Sequence, residues 1–458
     1  MAMGTRKRRE RQQPLWIASN DVVRTPANPF YERLNAILDA HGFDRKVEQL
    51  CRRYYKGPLG QPSLAPGIYF RLLLLGYFEG LDSERGIAWR VEDSLSLRKF
   101  LGYLLDEATP DHSTISRTRR LVWVETHRAV FRWVLKILEK EGLLVGKSVG
   151  VDATTLEANA AMRTIVRRDS GQKYEDFLKD LATNAGIENP TREQLARLDR
   201  RRKKKGCNKE WKHPHDADAR VAQMKDGSTH LAHKVEHAVD MNGGALLAVT
   251  LQGADQGDTA TLVATLEEAQ EAAREANGGG IDEMTGDKGY HSGEILDRLY
   301  REDVRSYIPE RDCGRRHWTD KEWEQRQVYA NRRRVRGQHG RQLLKKRGEL
   351  LERSMAHMYE TGGMRRLHLR GRENILKRLV VHAAGFNLGL VMRKRFGAGK
   401  PRQAAGLAAL VCAFLTARQA LIRRLHAWWQ SLSFTNLEFF SDVIMWPVAE
   451  SATTTTGC

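Results

Sequence analysis

The sequence predicts an α/β core preceded by an all-α segment and interrupted by a charged helical insertion. Three observations carry this prediction. Apolar residues recur at helical spacing up to about residue 142, short β-prone runs alternate with amphipathic helices beyond it, and charge is distributed very unevenly along the chain.

In the first region, Phe30 to Tyr55, Leu64 to Gly80, Ser83 to Asp93, Leu95 to Leu104 and Ser113 to Lys140 read as helices, broken by Gly57-Pro58, Gly80-Leu81-Asp82 and Ala108-Thr109-Pro110. After Gly142, five strands are expected: Lys147 to Asp152, His230 to Asp240, Ala245 to Leu251, Ile281 to Asp287 and Arg305 to Pro309. Helices at Thr259 to Asn277 and Ser292 to Asp303 separate the later strands, so the order of elements is that of an α/β domain. Residues 160–225, with the run Arg200 to Lys205, read as a helical basic insertion between the first two strands. The predicted organisation is a helical N-terminal domain over 1–142, an α/β domain over 143–400 that carries the insertion, and a helical C-terminal extension over 401–458.

With 76 Lys and Arg against 57 Asp and Glu, the formal charge is +19, while apolar residues make up 41%. That balance excludes wholesale disorder and points to a polyanionic partner. Residues 301–400 carry 26 basic against 11 acidic side chains, whereas 251–300 carry 3 against 11, so a basic surface follows an acidic stretch. The five cysteines are far apart and never form a CxxC pair, which supports neither a disulfide framework nor a thiolate zinc site and suits a reducing cytoplasm. No secretory leader or membrane span is read from the chain.

Three carboxylates occupy informative places. Asp152 closes an apolar strand in Val149-Gly150-Val151-Asp152, and Asp287 closes another in Gly286-Asp287-Lys288-Gly289, where glycines let the backbone turn tightly. Glu352 lies on a helix expected over Gly348 to Glu360, with Leu351, Met355 and Met358 as its buried stripe. Between them lie 134 and 64 residues. Glu349, one turn earlier, is the alternative third acid. Oxygen-only ligands suit two Mg2+ ions, with Mn2+ as an acceptable substitute, and a pair of such ions drives phosphodiester cleavage and strand transfer.

The blocks Val149 to Thr154, Thr285 to Tyr290 and Leu351 to His357 resemble, in order and spacing, the three acidic motifs of DDE transposases from bacterial insertion sequences. Asp218 to Val221, His230, Lys234, Ala238 to Asp240 and Ala254 to Thr259 resemble that family's intervening strands, and Tyr359 to Arg366 its following segment. The resemblance covers roughly residues 30–400 and implies a ribonuclease-H-like catalytic domain, a mixed five-stranded sheet with helices, with Asp152, Asp287 and Glu352 as metal-binding triad. In the wider group a Tyr, an Arg and a Lys flank the final Glu. Here no Tyr precedes it at that distance, Arg347 is one residue further off, and Tyr359 stands where the Lys would.

DNA contacts are expected from two places. Ser113, Thr114 and Arg117 follow Asp111 at a helix start, the hydroxyl-rich opening of a groove-reading helix. Arg332, Arg333, Arg334, Arg336, Arg341, Lys345, Lys346 and Arg347 are eight cations with no acid in 16 positions, a density that suits phosphate binding. Trp211, Trp318 and Trp323 lie near basic segments and offer stacking faces for an unpaired base, but each reads chiefly as core packing. His291 reads chiefly as a surface residue capping a turn. The partners implied are terminal inverted repeats and target DNA, with a homodimer or higher assembly on DNA, no membrane, and a location in the bacterial cytoplasm with the nucleoid. Leu407 to Trp429 is a candidate contact between copies. The alternatives are a catalytically inactive transposase-derived DNA-binding protein and another ribonuclease-H-like nuclease.

Overall fold

The computed structural model describes residues 3, 29–55, 63–202, 207–224, 226–312, 314, 316–404, 418–419 and 421–425. Residues 1–401 form one compact unit and 402–458 a second, whose described residues are helical. The proposed contact at Leu407 to Trp429 lies mostly outside the described residues.

The first region contains α1 (Pro29–Ala40), α2 (Phe43–Cys51), α3 (Pro66–Glu79), α4 (Glu84–Glu92), α5 (Leu95–Leu101), α6 (His112–Leu121) and α7 (Val124–Lys140). Local chemistry sets the boundaries. Ser83 and Ser94 cap α4 and α5 by accepting from Gly86 N at 3.1 Å and Leu97 N at 3.4 Å. Gly80 and Gly102 end α3 and α5 in the left-handed conformation, which glycine adopts without a Cβ clash. The run Ser113 to Lys140 is two helices, because Val122 and Trp123 are extended and part α6 from α7.

Strands β1 (Ser148–Glu157), β2 (Val166–Arg167), β3 (Trp211–Lys212), β4 (Arg220–Gln223), β5 (Thr229–Asp240), β6 (Leu246–Gly253), β7 (Glu283–Thr285) and β8 (Arg305–Tyr307) follow. The main sheet is mixed: β5 runs antiparallel to β1, β4 and β6, while β7 and β8 continue parallel to β1. It has six strands rather than five, because the end of the insertion supplies β4 to one end of β5.

The insertion is only partly helical. It holds α8 (Tyr174–Asn184) and α9 (Arg192–Arg201), but β2 and β3 pair as a separate two-stranded sheet. Trp211 is 2% exposed, with Tyr174 and Phe177 ring centroids at 4.9 and 5.3 Å. It is a core residue of the insertion and is not available for stacking on a base.

Helix α10 (Asp258–Asn277) covers one sheet face, where Thr265 bonds Glu236 and Thr250. Helix α11 (Gly293–Arg301) packs on α12 (Glu322–Arg336), and α13 (Gln338–Met355) crosses the other face over β1 and β5. A π-helical turn, Ala356–Glu360, ends α13, and α14 (Arg372–Phe396) follows.

Helix α14 is apolar on nearly every side because it is enclosed on nearly every side. Its most apolar stretch passes a length and composition test for a membrane span, yet 89% of it is buried inside the protein. It packs on α3, α7 and β6, and buried Asn387 pairs with both backbone groups of Leu246, at 2.9 and 2.8 Å. The change near residue 142 is therefore a change from helices to strands within one packed unit.

Candidate active site and nucleic-acid surface

Strand register brings two of the three acids together. Ser148 is level with Glu283 and Gly150 with Thr285 in the parallel β1–β7 pair, and Asp152 and Asp287 each follow this last pair by two residues. Adjacent strands lie about 4.8 Å apart, and alternation puts Asp152 on the same face as Gly150. Gly150 leaves room on that face: a Cβ there would stand 2.7 Å from Met241 Sδ and, on α13, 3.2 Å from Leu351 Cδ1 and 3.3 Å from Arg347 Cγ.

Each aspartate is held by a backbone amide. Asp152 Oδ1 accepts from Ala153 N at 2.8 Å, and Asp287 Oδ1 accepts from Gly289 N at 2.7 Å at the head of the 3-10 turn Lys288–Tyr290. A side chain at Gly289 would collide with carboxylate oxygens of both Asp258 and Asp287, so the turn needs glycine. Arg311 clamps the turn by donating to the carbonyls of Lys288 and Gly289, both at 2.9 Å. Tyr290, in the same turn, is buried among these acids. Burial, and then the nearby charges of Glu236, Asp258, Asp152 and Asp287, push its phenol well above the usual range, so it stays a neutral donor to Glu236 at 3.2 Å.

Glu352 lies on α13, which crosses this face. It follows Leu351, the residue that faces Gly150, by one position and so lies about 100° further round the helix; it is exposed and makes no hydrogen bond or ion pair among the described residues. Glu349 is also exposed, but Arg353 holds it at 2.5 Å, which leaves Glu352 as the unengaged acid of α13. Among the described residues, no group of three or more His, Cys, Asp or Glu stands where it could hold a metal ion. The donor chemistry of Asp152 and Asp287 nonetheless fits a hard divalent cation: two carboxylates on one rim, each oriented through one oxygen.

Several side chains that shape the site were not singled out for it by sequence reasoning. His237 pairs in register with Asp152 on β5 and is fully buried. Ser354 Oγ already donates to Leu351 O, so it accepts from His237 Nδ1 at 2.9 Å, while Tyr359 donates to Nε2. Burial lowers His237 to about 3, which keeps it neutral. This clamp pins the end of α13 onto β5 and occupies Tyr359, which stands where the wider group has Lys. Behind the sheet, Lys234 bridges Asp258 at 2.7 Å and Glu236 at 3.3 Å. Strand alternation shows that His237 and Glu236 face opposite ways, but it gives no sign of partners on distant helices.

His291 is not a surface residue. It is 8% exposed, neither ring nitrogen has a hydrogen-bond partner, and burial lowers its pKa.

The basic run divides. Arg332 pairs with Glu310 at 2.8 Å, Arg334 donates to Ser306 O at 3.0 Å, and Arg347 Nη1 lies 3.8 Å from Asp152 Oδ2. Arg333, Arg336, Arg341, Lys345 and Lys346 are exposed on α12 and α13. At the start of α6, Asp111 caps through Thr114 N at 2.7 Å, and exposed Arg117 reaches back to Ser113 Oγ at 3.4 Å and Thr114 Oγ1 at 3.2 Å. Trp323 is 45% exposed but donates its indole N–H to Asp297, and half-buried Trp318 packs against Tyr329.

Two family comparisons match. Residues 21–121 match a transposase domain (DUF772), and residues 208–388 match a transposase DDE domain, which spans Asp287 and Glu352 and begins after Asp152. No curated protein and no solved structure matches the chain. The two matches define the class as transposase. The chain is a DDE transposase of an insertion sequence, an enzyme whose substrate is DNA.

Proposed function

We propose that this transposase binds the ends of its element through α6 and catalyses strand cleavage and strand transfer at Asp152, Asp287 and Glu352 with two Mg2+ ions, or Mn2+ in their place. The observation that carries the reading is that Asp152 and Asp287 each follow the last register pair of two adjacent parallel strands, Gly150 and Thr285, by two residues. The strand order, three antiparallel strands followed by two parallel ones, supports a ribonuclease-H-like core.

Divalent ions, when bound, supply activation of the attacking water or 3′-hydroxyl and stabilisation of the leaving oxygen. The chain's own residues do the rest. Ala153 N and Gly289 N orient the two aspartates, and the His237 clamp fixes the helix that carries Glu352. Arg333, Arg336, Arg341, Lys345 and Lys346 offer a phosphate-binding surface, and Ser113, Thr114 and Arg117 present donors to a DNA groove. Because α1–α7 share a core with α14, end recognition belongs to the whole chain. We place the enzyme in the cytoplasm with the nucleoid, as a dimer or larger assembly on paired ends.

The test is cleavage of a labelled element end by full-length variants with DNA binding measured in parallel. Asp152→Ala, Asp287→Ala and Glu352→Ala should each bind DNA and fail to cleave. Activity in Glu352→Ala with loss in Glu349→Ala would move the third acid by one turn, and robust cleavage by Asp287→Ala would sink the two-metal reading.

A further inference from the structure

We propose that Arg347 is an internal counter-cation for Asp152 that a DNA phosphate draws away, so that arrival of DNA raises the affinity of the site for divalent metal. The inference rests on the assignment of Asp152 as a metal ligand.

The geometry is that of a displaceable pair. Arg347 Nη1 lies 3.8 Å from Asp152 Oδ2, beyond the roughly 2.7–2.9 Å of a charge-assisted hydrogen bond. The same Nη1 is buried and makes no hydrogen bond among the described residues. Charge alone therefore holds this contact, and a guanidinium with an unused donor gains by meeting an oxygen at shorter range. The side chains are only 16% and 26% exposed, so water and salt screen the attraction weakly. A monovalent cation this close to Asp152 opposes binding of a second cation at the same carboxylate.

A competitor for the guanidinium can reach it along the same helix. Arg341, Lys345 and Lys346 are exposed on α13 within two turns of Arg347, so a DNA backbone that follows them arrives beside it. Phosphate oxygens accept the two-pronged hydrogen bonds that a guanidinium offers, and the contact with Asp152 supplies none of them. The stem of Arg347 lies over Gly150, so its head can swing from carboxylate to phosphate while the stem stays in place. Linkage makes the effect reciprocal: if DNA raises metal affinity, metal raises DNA affinity by the same factor.

The experiment measures Mn2+ binding to the full-length protein, by the spectroscopic signal of free Mn2+, with and without a duplex that lacks the element end. Wild-type protein should bind Mn2+ roughly threefold to tenfold more tightly with DNA present. Arg347→Met keeps the apolar stem and should bind Mn2+ at the tighter level without DNA, with no further gain when DNA is added. Arg347→Lys keeps the charge without the fork; it should bind weakly without DNA and lose most of the DNA-induced gain. Asp152→Asn separates the metal assignment from the role of Arg347. If it binds Mn2+ as wild type does, the metal assignment fails and the inference with it. If Asp152→Asn loses binding while Arg347→Met matches or falls below wild type without DNA, only the role of Arg347 is overturned. A full DNA-induced gain in Arg347→Lys would overturn it as well.

Discussion

Asp287 and the glutamates of α10 belong to one acidic stretch of sequence, yet their surroundings differ. Glu268, Glu271 and Glu275 point at α7, where Arg128 meets Glu268 at 2.9 Å and Arg132 meets Glu271 and Glu275 at 2.6 and 2.5 Å. They join the helical region to the sheet. Asp287 stands at a strand end, is held by one backbone amide, and shares Tyr290 with Asp152 as a neighbour. An excess of carboxylates along a chain therefore does not locate chemistry. What distinguishes the two groups is whether a nearby cation already neutralises the acid.

The largest expected effect separates them directly. Asp152→Ala and Asp287→Ala should lower end cleavage at least about 10^3-fold with the melting temperature nearly unchanged, and the double variant should be no worse than either single one, because ligands acting as a unit fail together. Mn2+ should sustain cleavage and Ca2+ should permit DNA binding without it, which assays of the wild-type enzyme with each metal will check.

The same division holds for the cations. Changing Arg333, Arg336, Lys345 and Lys346 together to Gln should flatten the slope of log affinity against log salt by up to about 0.9 for each phosphate that is no longer neutralised. Changing Arg332 and Arg334, which are engaged by Glu310 and Ser306, should lower the melting temperature and leave that slope nearly unchanged.

Acid should loosen the helix that carries Glu352. His237 is lowered from 6.5 to about 3 in the fold, so between those values the unfolded chain binds the extra proton. Its contribution to stability is whole above pH 6.5 and is lost as pH falls towards 3, and His237→Gln should show a shallower decline in chemical denaturation over that window.

A smaller change is expected at α6. Arg117→Ala should cost about 1–3 kcal/mol of preference for the element end over random duplex, read by competition binding, with nonspecific affinity little altered. The smallest returns to α10: Arg132→Ala should cost about 1 kcal/mol of stability, because its partners are largely exposed, and leave cleavage per folded molecule unchanged. A large loss of cleavage there would erase the contrast between the two acidic groups.

Much of the architecture was legible in the chain because it arises between near neighbours. Helical periodicity places α3 and α4, the serine caps set the starts of α4 and α5, and apolar runs mark β1, β5 and β6 to within a few residues, except that β1 runs five residues past Asp152. Asp152 and Asp287 were visible as acids following apolar runs, although Asp152 lies within β1 rather than closing it and Asp287 stands two residues beyond β7. Their meeting was not, because 134 residues separate them and the parallel register depends on packing of the whole sheet. Nor could local pattern show that residues 220–223 pair with β5, or that His237 is held by Ser354 and Tyr359. The basic run shows the limit most plainly. Arg333 and Arg334 are identical neighbours in sequence, yet one faces solvent and the other is turned onto Ser306. By itself the sequence determined most of the helices and the longer strands and which residue types cap them. Only the tertiary structure decided which charges meet, because a partner contributed by a distant segment leaves no trace in the spacing of its neighbours.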